Sequence, residues 1–356
     1  MLAMDAYFKK ALDERVNIGL HRKLDVYESL IDFSSNDYLG IASENKSGAT
    51  GSRLISGNSK DLEELESIFA AKVGAQAALY YSAGYLANIG LLPTITDRFT
   101  TIISDELIHA SLIDGIRLSY AKRYSFKHND LEHLEKLLQS HNGKKIIVAE
   151  TVYSMDGDSP ELNQLFNIVS KYEDTYVVLD EAHGLGLSGK NNLGIAQSYI
   201  SHPNCLAIVY PLGKAVGLSG AFVVGSKLLR DYLINFSRSF IYSTGPSKLL
   251  IKQLKKQLED LTLKDSKNLF LLKKHFLKGI DKNYSVLSGE YGAIVSILTK
   301  EKSKDIEKEL LENNFFVKAI LSPTVKKGFE RLRICFHDYN TLEEIDNLLK
   351  ILNSKN

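Results

Sequence analysis

Two cysteines, Cys205 and Cys335, are all that the 356 residues contain. Neither lies in a spacing that would hold zinc, and two are too few for a disulfide framework, so both are expected as buried free thiols and no metal is expected. Charge of one sign is also missing: 44 Lys and Arg stand against 43 Asp and Glu, leaving +1. A chain so close to neutral has no field to draw in nucleic acid or an anionic membrane. Long apolar runs are absent too. The stretch MLAMDAYFKKALDERV carries charges throughout, with no secretory apolar core. The most apolar-leaning segment, 77–93, is interrupted by Ser82, Gly84, Asn88 and Gly90, which excludes a membrane span. A cytoplasmic location is the default expectation. The length suits one large domain or two smaller ones.

What the chain does have is alternation. Apolar strand patterns at 77–81, 101–104, 145–150, 176–180, 205–210 and 221–225 are interleaved with helical patterns at 61–73, 84–92, 111–118 and 161–172. Continuous rather than alternating apolar strands predict a largely parallel α/β sheet covered by helices on both faces. After about residue 245 the character changes. A Lys- and Leu-rich region, 247–282, reads as long and helical, followed by strands at 293–298, 315–320 and 331–336 and helices at 304–311 and 342–352. The expected organisation is an amino-terminal helix and arm (1–31), a large domain (32–245) and a small carboxy-terminal α+β domain (246–356).

Within 208–220, IVYPLGKAVGLSG, an apolar strand ends at a lysine, Lys214, set among small residues. That setting leaves room for a flat ring. An earlier strand, YVVL, ends in Asp180-Glu181-Ala182-His183. A strand-end Asp, an Ala and a His behind it, and a later Lys among glycines point to pyridoxal phosphate (PLP) chemistry. The Lys would hold the aldehyde as a Schiff base and the Asp would pair with the pyridinium nitrogen. The same region offers decoys. DEAH followed by GLGLSGKN imitates a nucleotide site, but Asn191 stands where a phosphate loop needs Ser or Thr, and no strand precedes the glycines.

Other strand ends carry matching groups. Ser82, Gly84 and Tyr85 lie where a strand turns into a helix, whose free N–H groups suit a phosphate. Thr244, in the hydroxyl-rich YSTG turn, offers another phosphate donor. His109 follows the strand at 101–104, and a flat imidazole there would stack on a ring. Ser154 follows the strand at 145–150. His109, Ser154, Asp180 with His183, and Lys214 therefore follow the carboxyl ends of successive strands, the edge where open α/β sheets place ligands. Arg331 and Arg333 share one face of a strand, and an arginine fork suits a substrate carboxylate.

Together these residues resemble the α-oxoamine synthases, PLP-dependent enzymes of the aspartate aminotransferase fold (fold type I). The resemblance runs from about residue 32 onward, through SSNDYLG (34–40), GSRLISGN (51–58), SAGYLAN (82–88), DELIHAS (105–111), ETVYSMDGD (150–158), LDEAHGLG (179–186), LGKAVGLSGA (212–221), IYST (241–244) and ERLR (330–333). It implies that Lys214 is the Schiff-base lysine and general base and that Asp180 partners the ring nitrogen. His183 and Ser154 would meet the ring hydroxyl, with His109 and Ala182 on the two ring faces. Ser82, Gly84 and Tyr85 would hold the phosphate, joined by Thr244 from the other subunit of a homodimer. Arg333 would grip the amino-acid carboxylate, with Asn36 near the substrate. The family usually has Thr three residues before the lysine; here it is Pro211, which removes one phosphate contact. A His often found in the helix after SGN is replaced here by Leu62 or shifted.

The implied reaction is a decarboxylating condensation of an amino acid with an acyl thioester. The compact chain favours L-alanine with pimeloyl-CoA or a pimeloyl carrier protein. Glycine with acetyl-CoA, serine with a long-chain acyl thioester, and a non-catalytic PLP-fold binding protein stand as alternatives.

Overall fold

The computed structural model describes residues 3–26, 34–39, 42 and 48–355. The expected boundary at 31/32, Gly40 of the SSNDYLG motif and the start of the Gly/Ser loop at Ser47 lie outside the described residues. The chain forms two compact units: Met1–Thr151 with Pro160–Leu263, and Val152–Ser159 with Lys264–Asn356. The expected boundary at 245/246 differs from this division, which assigns residues 246–263 to the first unit and 152–159 to the second.

The first unit is built on a seven-stranded sheet: β1 (Ala77–Tyr81), β2 (Thr101–Asp105), β3 (Lys122–Phe126), β4 (Lys145–Glu150), β5 (Thr175–Asp180), β6 (Cys205–Pro211) and β7 (Ala221–Gly225). Its order is β1-β7-β6-β5-β4-β2-β3, and only β7 runs antiparallel to its neighbours. Every residue of β4 and β5 is buried, as the unbroken apolar runs require when helices cover both faces. The helices are α1 (Ala3–Asn17), α2 (Lys60–Val73), α3 (Gly84–Thr94), α4 (Ala110–Leu118), α5 (Leu131–Ser140), α6 (Leu162–Val169), α7 (Lys227–Phe236), α8 (Arg238–Ile241) and α9 (Lys248–Leu263). In α2, Leu62, Leu65, Phe69 and Val73 form one buried stripe, and the Ser59 hydroxyl caps the start by accepting the Leu62 N–H at 3.3 Å.

Besides the short α8 and a strand at Ser285–Ser288, three elements escaped the sequence reading. β3, KRYSF, exposes its first four residues; a charged edge strand shows no apolar alternation and is protected from pairing with other chains by those charges. α5 hides behind a polar sequence but carries the stripe Leu131, Leu134, Leu138 and an Asp130 cap that accepts the His133 N–H at 2.8 Å. α7, capped by Ser226, follows β7 directly. The long helix expected at 247–282 is two helices. Asp265 accepts the Lys267 N–H at 2.9 Å, a local turn that stops α9 and starts α10 (Lys267–Gly279). α9 buries Ile251, Leu254, Leu258 and Leu261 in the core of the first unit, which is why the division falls after residue 263.

The second unit is an antiparallel sheet, β8 (Ser285–Ser288), β9 (Ile294–Leu298), β10 (Lys318–Ile320) and β11 (Arg331–Cys335), in the order β10-β11-β9-β8, with α10, α11 (Ser303–Glu312) and α12 (Leu342–Asn353). Thr341 and Glu344 form a reciprocal capping box at the start of α12. Among the described residues, no helix is long and apolar enough to cross a membrane.

Glu181 ties the loop after β5 to the sheet. Its fully buried carboxyl accepts the Thr151 hydroxyl at 2.6 Å and the Ala196 N–H at 2.8 Å. Burial pushes this acid from 4.5 up to about 8. Between those values the folded chain holds a proton that the unfolded chain releases, so this group's contribution to stability falls as pH rises from about 4.5 through 8. Glu181→Gln keeps one carbonyl acceptor and cannot ionise. In denaturation curves taken from pH 5 to 9, the variant is expected to gain stability over the parent progressively toward high pH; parallel curves would refute the assignment.

Candidate active site

The carboxyl ends of β2, β4, β5 and β6 converge on a cavity of about 360 Å³ in the first unit. Of the residues expected at the site, Ser82, Gly84, Tyr85, His109, Asp180, Ala182, His183 and Lys214 all line it. The parallel topology brings them together: each strand delivers its last residue, or the turn after it, to the same edge.

Lys214 rides a clipped turn between β6 and β7. Leu212 N–H meets the Gly220 carbonyl at 2.9 Å, Leu218 N–H the Leu212 carbonyl at 3.2 Å, and Gly217 N–H the Lys214 carbonyl at 2.9 Å. Gly220 has φ +121°, and a Cβ there would lie 2.4 Å from the Tyr80 ring, so only glycine closes this turn.

Asp180 is 4% exposed. Asn88 Nδ2 donates to its Oδ2 at 2.8 Å, and the Ala182 N–H donates to its Oδ1 at 2.9 Å. Burial pushes its pKa up, while Asn88, the Lys214 ammonium, the Ala182 N–H and His109 pull it back. A buried carboxylate held by two N–H donors opposite a lysine is the arrangement that pairs with a protonated ring nitrogen.

His109 caps α4 with its own ring: the Ser111 N–H donates to Nδ1 at 3.2 Å, and Ser111 Oγ lies 2.8 Å from the same nitrogen. Ser111 Oγ accepts from Asn88 at 2.9 Å, so its hydrogen goes to His109 Nδ1. This network assigns the ring proton to Nε2. Burial holds the imidazole below its ordinary pKa, with the neutral form favoured. Tyr85 stands edge-on to it, ring centroids 6.5 Å apart, and its hydroxyl donates to Asp114.

The chemistry of the remaining wall fits a phosphate. Ala83, at the cap position of α3, has no side-chain oxygen, so no side chain satisfies the first-turn N–H groups, and Ser82 and Gly84 border the cavity beside them. A Cβ on Gly84 would come within 2.8 Å of Pro211. The helix start is therefore packed directly on the proline that stands where the resemblance leads one to expect threonine.

Four expected residues lie elsewhere. Asn36 and Thr244 line a separate, larger cavity of about 500 Å³ in the first unit, where Thr244 bridges to Ser52 and the Gly245 N–H meets the Gly51 carbonyl at 3.0 Å. Ser154 and Arg333 belong to the second unit. There the Arg333 Nε donates to the Ser154 carbonyl at 2.5 Å, while Arg331 is buried and ion-paired with Asp156. Of the two arginines, Arg333 thus has no carboxylate partner among the described residues. Glu150, Asn88 and Ser111 are the site residues that sequence reasoning missed. In the sequence all three are members of motifs without an assigned role, and Glu150 also ends a strand.

Comparison with known proteins agrees with this geometry. Residues 28–352 match the family described as aminotransferase class I and II. The chain is 36% identical over 348 residues to 8-amino-7-oxononanoate synthase of Herminiimonas arsenicoxydans, covering 91% of this chain and 89% of the relative. The crystal structure of 8-amino-7-oxononanoate synthase from Francisella tularensis superposes with a TM-score of 0.77 at 31% identity, covering 92% of this chain and 98% of that one. Serine palmitoyltransferase of Sphingomonas wittichii gives a TM-score of 0.82 at 26% identity, with coverages of 88% and 80%. The fold, the strand-end site and the extent of these matches lead to one conclusion: the chain belongs to the class I and II aminotransferase family.

Proposed function

We propose that this protein is a PLP-dependent acyltransferase that condenses L-alanine with pimeloyl-CoA, or a pimeloyl carrier protein, to give 8-amino-7-oxononanoate, CoA and CO2 in biotin biosynthesis. The observation that carries the reading is the convergence of Lys214, the buried Asp180 and the uncapped start of α3 on one cavity. When bound, PLP supplies a ring that takes up the negative charge developing at the alanine α-carbon.

Each residue then has a task. Lys214 would hold the cofactor aldehyde and would serve as the general base that removes the alanine α-proton. Asp180 keeps a proton on the ring nitrogen, and Asn88 with the Ala182 N–H holds its carboxylate in place. His183 and Ser154 would serve the ring hydroxyl. The His109 ring and Ala182 would pack on the two faces of the cofactor ring, and the proton on His109 Nε2 would serve the thioester oxygen. Ser82, Gly84 and Tyr85 take the phosphate at the α3 terminus. Arg333 clamps the alanine carboxylate bidentately, with Asn36 nearby. CoA departs, CO2 is lost, and a proton returns to the α-carbon.

In this reading Thr244 serves the partner's phosphate, in a homodimer with shared sites in the cytoplasm. Its position on a cavity away from Lys214 of its own chain supports that assignment.

The test is CoA and CO2 release by the PLP-loaded protein, with L-alanine, glycine and L-serine each offered pimeloyl-CoA, acetyl-CoA and palmitoyl-CoA. Equal release of both products with L-alanine and pimeloyl-CoA is expected. Turnover only with glycine and acetyl-CoA, or only with serine and palmitoyl-CoA, would keep the chemistry and replace the substrates. No turnover with any pair and no visible cofactor band would leave a binding protein.

Pro211 gives a separate prediction. Threonine at 211 would add one hydroxyl donor beside Ser82. A neutral hydrogen bond is worth about 1 kcal/mol net, so Pro211→Thr is expected to tighten PLP binding about fivefold. Cofactor titration of the apoprotein measures it, and unchanged affinity would place residue 211 outside the phosphate site.

A further inference from the structure

Glu150 is a buried acid for which the mechanism above has no use. It ends β4, is 2% exposed, and lines the same cavity as Lys214. Its register partner in the parallel ladder is Asp180, so the two carboxyls project to the same face of the sheet on neighbouring strands. One Glu150 oxygen, Oε1, accepts the backbone N–H of His109.

That contact closes a ring of interactions. Glu150 holds the His109 backbone. The His109 imidazole holds Ser111, Ser111 is held by Asn88, and Asn88 holds Asp180, which sits beside Glu150. Remove Glu150, and His109 loses its backbone hydrogen bond to the sheet, while the ring and Asp180 stay linked through Ser111 and Asn88. We propose that Glu150 is a positioning residue for His109, fixing the entry of α4 so that the imidazole stands over the cofactor ring with its proton on Nε2. The proposal rests on the PLP reading of the cavity and adds to it the group that aims the stacking histidine.

The contact does not require the acid to be charged. The charged groups that act on it are Asp180 from β5, Lys214 from the β6–β7 turn and Asp105 from β2, while His109 at the start of α4 reaches it through its backbone N–H. Burial and the neighbouring Asp180 hold Glu150 well above the usual carboxyl range. A protonated Glu150 still accepts the His109 N–H through its carbonyl oxygen and leaves the negative charge of the pair on Asp180, where a ring nitrogen needs it. Glutamine is therefore the faithful replacement, and alanine is not.

Two measurements test this. In apoprotein labelled with 15N-histidine, with His109 assigned through His109→Gln, Glu150→Gln is expected to keep the parent's Nε2–H tautomer pattern, and Glu150→Ala to move His109 toward averaged tautomers. In steady-state assays of the PLP-loaded protein, Glu150→Gln is expected to stay within about twofold of the parent, while Glu150→Ala falls about 100-fold, the scale set by misplacing a reacting group by about 1 Å. In the His109→Gln background the alanine change is expected to add almost nothing, because both act through one group. A Glu150→Gln variant with a lost tautomer pattern or a large rate loss would overturn the proposal, and so would a full alanine effect without His109. If Glu150→Ala does not fold, Glu150→Gln decides alone. A parent protein with no visible cofactor band would instead defeat the PLP reading, and the apoprotein spectra would still decide the positioning role.

Discussion

Lys214→Ala is expected to bind PLP without the visible absorbance of a lysine-linked cofactor and to lose turnover by at least the ~10²–10⁴-fold that a positioned general base contributes. Both effects come from one amine. Lys214 is presented on the clipped 212–220 turn, so its removal leaves the turn's backbone hydrogen bonds and the Gly220 contact with Tyr80 untouched. The fold should survive with an unchanged melting temperature, and the phosphate site proposed at α3 does not involve the lysine. Retained cofactor affinity with a lost band is therefore the expected pair of results. Preserved turnover in this variant would remove the site from the chemistry altogether.

Asp180→Asn carries the second-largest expected effect. The substitution keeps the shape and removes the charge that the proposed function pairs with the ring nitrogen. Deleting one preorganised electrostatic partner of a developing charge costs ~10²–10³ in kcat. The local network can absorb the new amide. Asn88 Oδ1 is buried without a partner, so rotating Asn88 by half a turn presents that oxygen to the introduced N–H₂ group at the expense of the Ser111 bond. Folding should hold, and kcat should fall while the KM for L-alanine changes little, since Arg333 and not Asp180 is assigned the carboxylate. Reconstitution with N-methylated PLP, whose ring nitrogen is permanently positive, is expected to restore part of the loss. A kcat within a few-fold of the parent would disprove the ring-nitrogen role.

The legible part of this molecule is the part where chemistry restricts residue type and topology restricts place. Lys214, Asp180 and His109 stand at strand ends because a parallel sheet puts its ligand there, and each was readable from a short motif with its strand. Glu150 occupies the same kind of place and was passed over, because an acid at a strand end ordinarily points to water. Only the β4–β5 register and the approach of the His109 backbone bury it. The break at Asp265 was missed for a similar reason: one side-chain hydrogen bond stops a helix that the apolar periodicity carries straight through. Asn36 and Thr244 show another limit. Their motifs were recognisable, but a single chain does not bring them to Lys214.

The residues 152–159 lie between β4 and α6 of the first unit yet pack with the second. They are fastened there by Arg331 to Asp156, Arg333 to the Ser154 carbonyl at 2.5 Å, and Ser296 to the Met155 carbonyl at 2.5 Å. On the ribosome, this stretch emerges long before the strands that fasten it. The nascent sheet must therefore wait with an unanchored loop in its middle, one that carries Ser154, until β9 and β11 have been made. A protease nick within 264–266 would accordingly cut the chain without separating its products, because the earlier piece remains stitched into the later one.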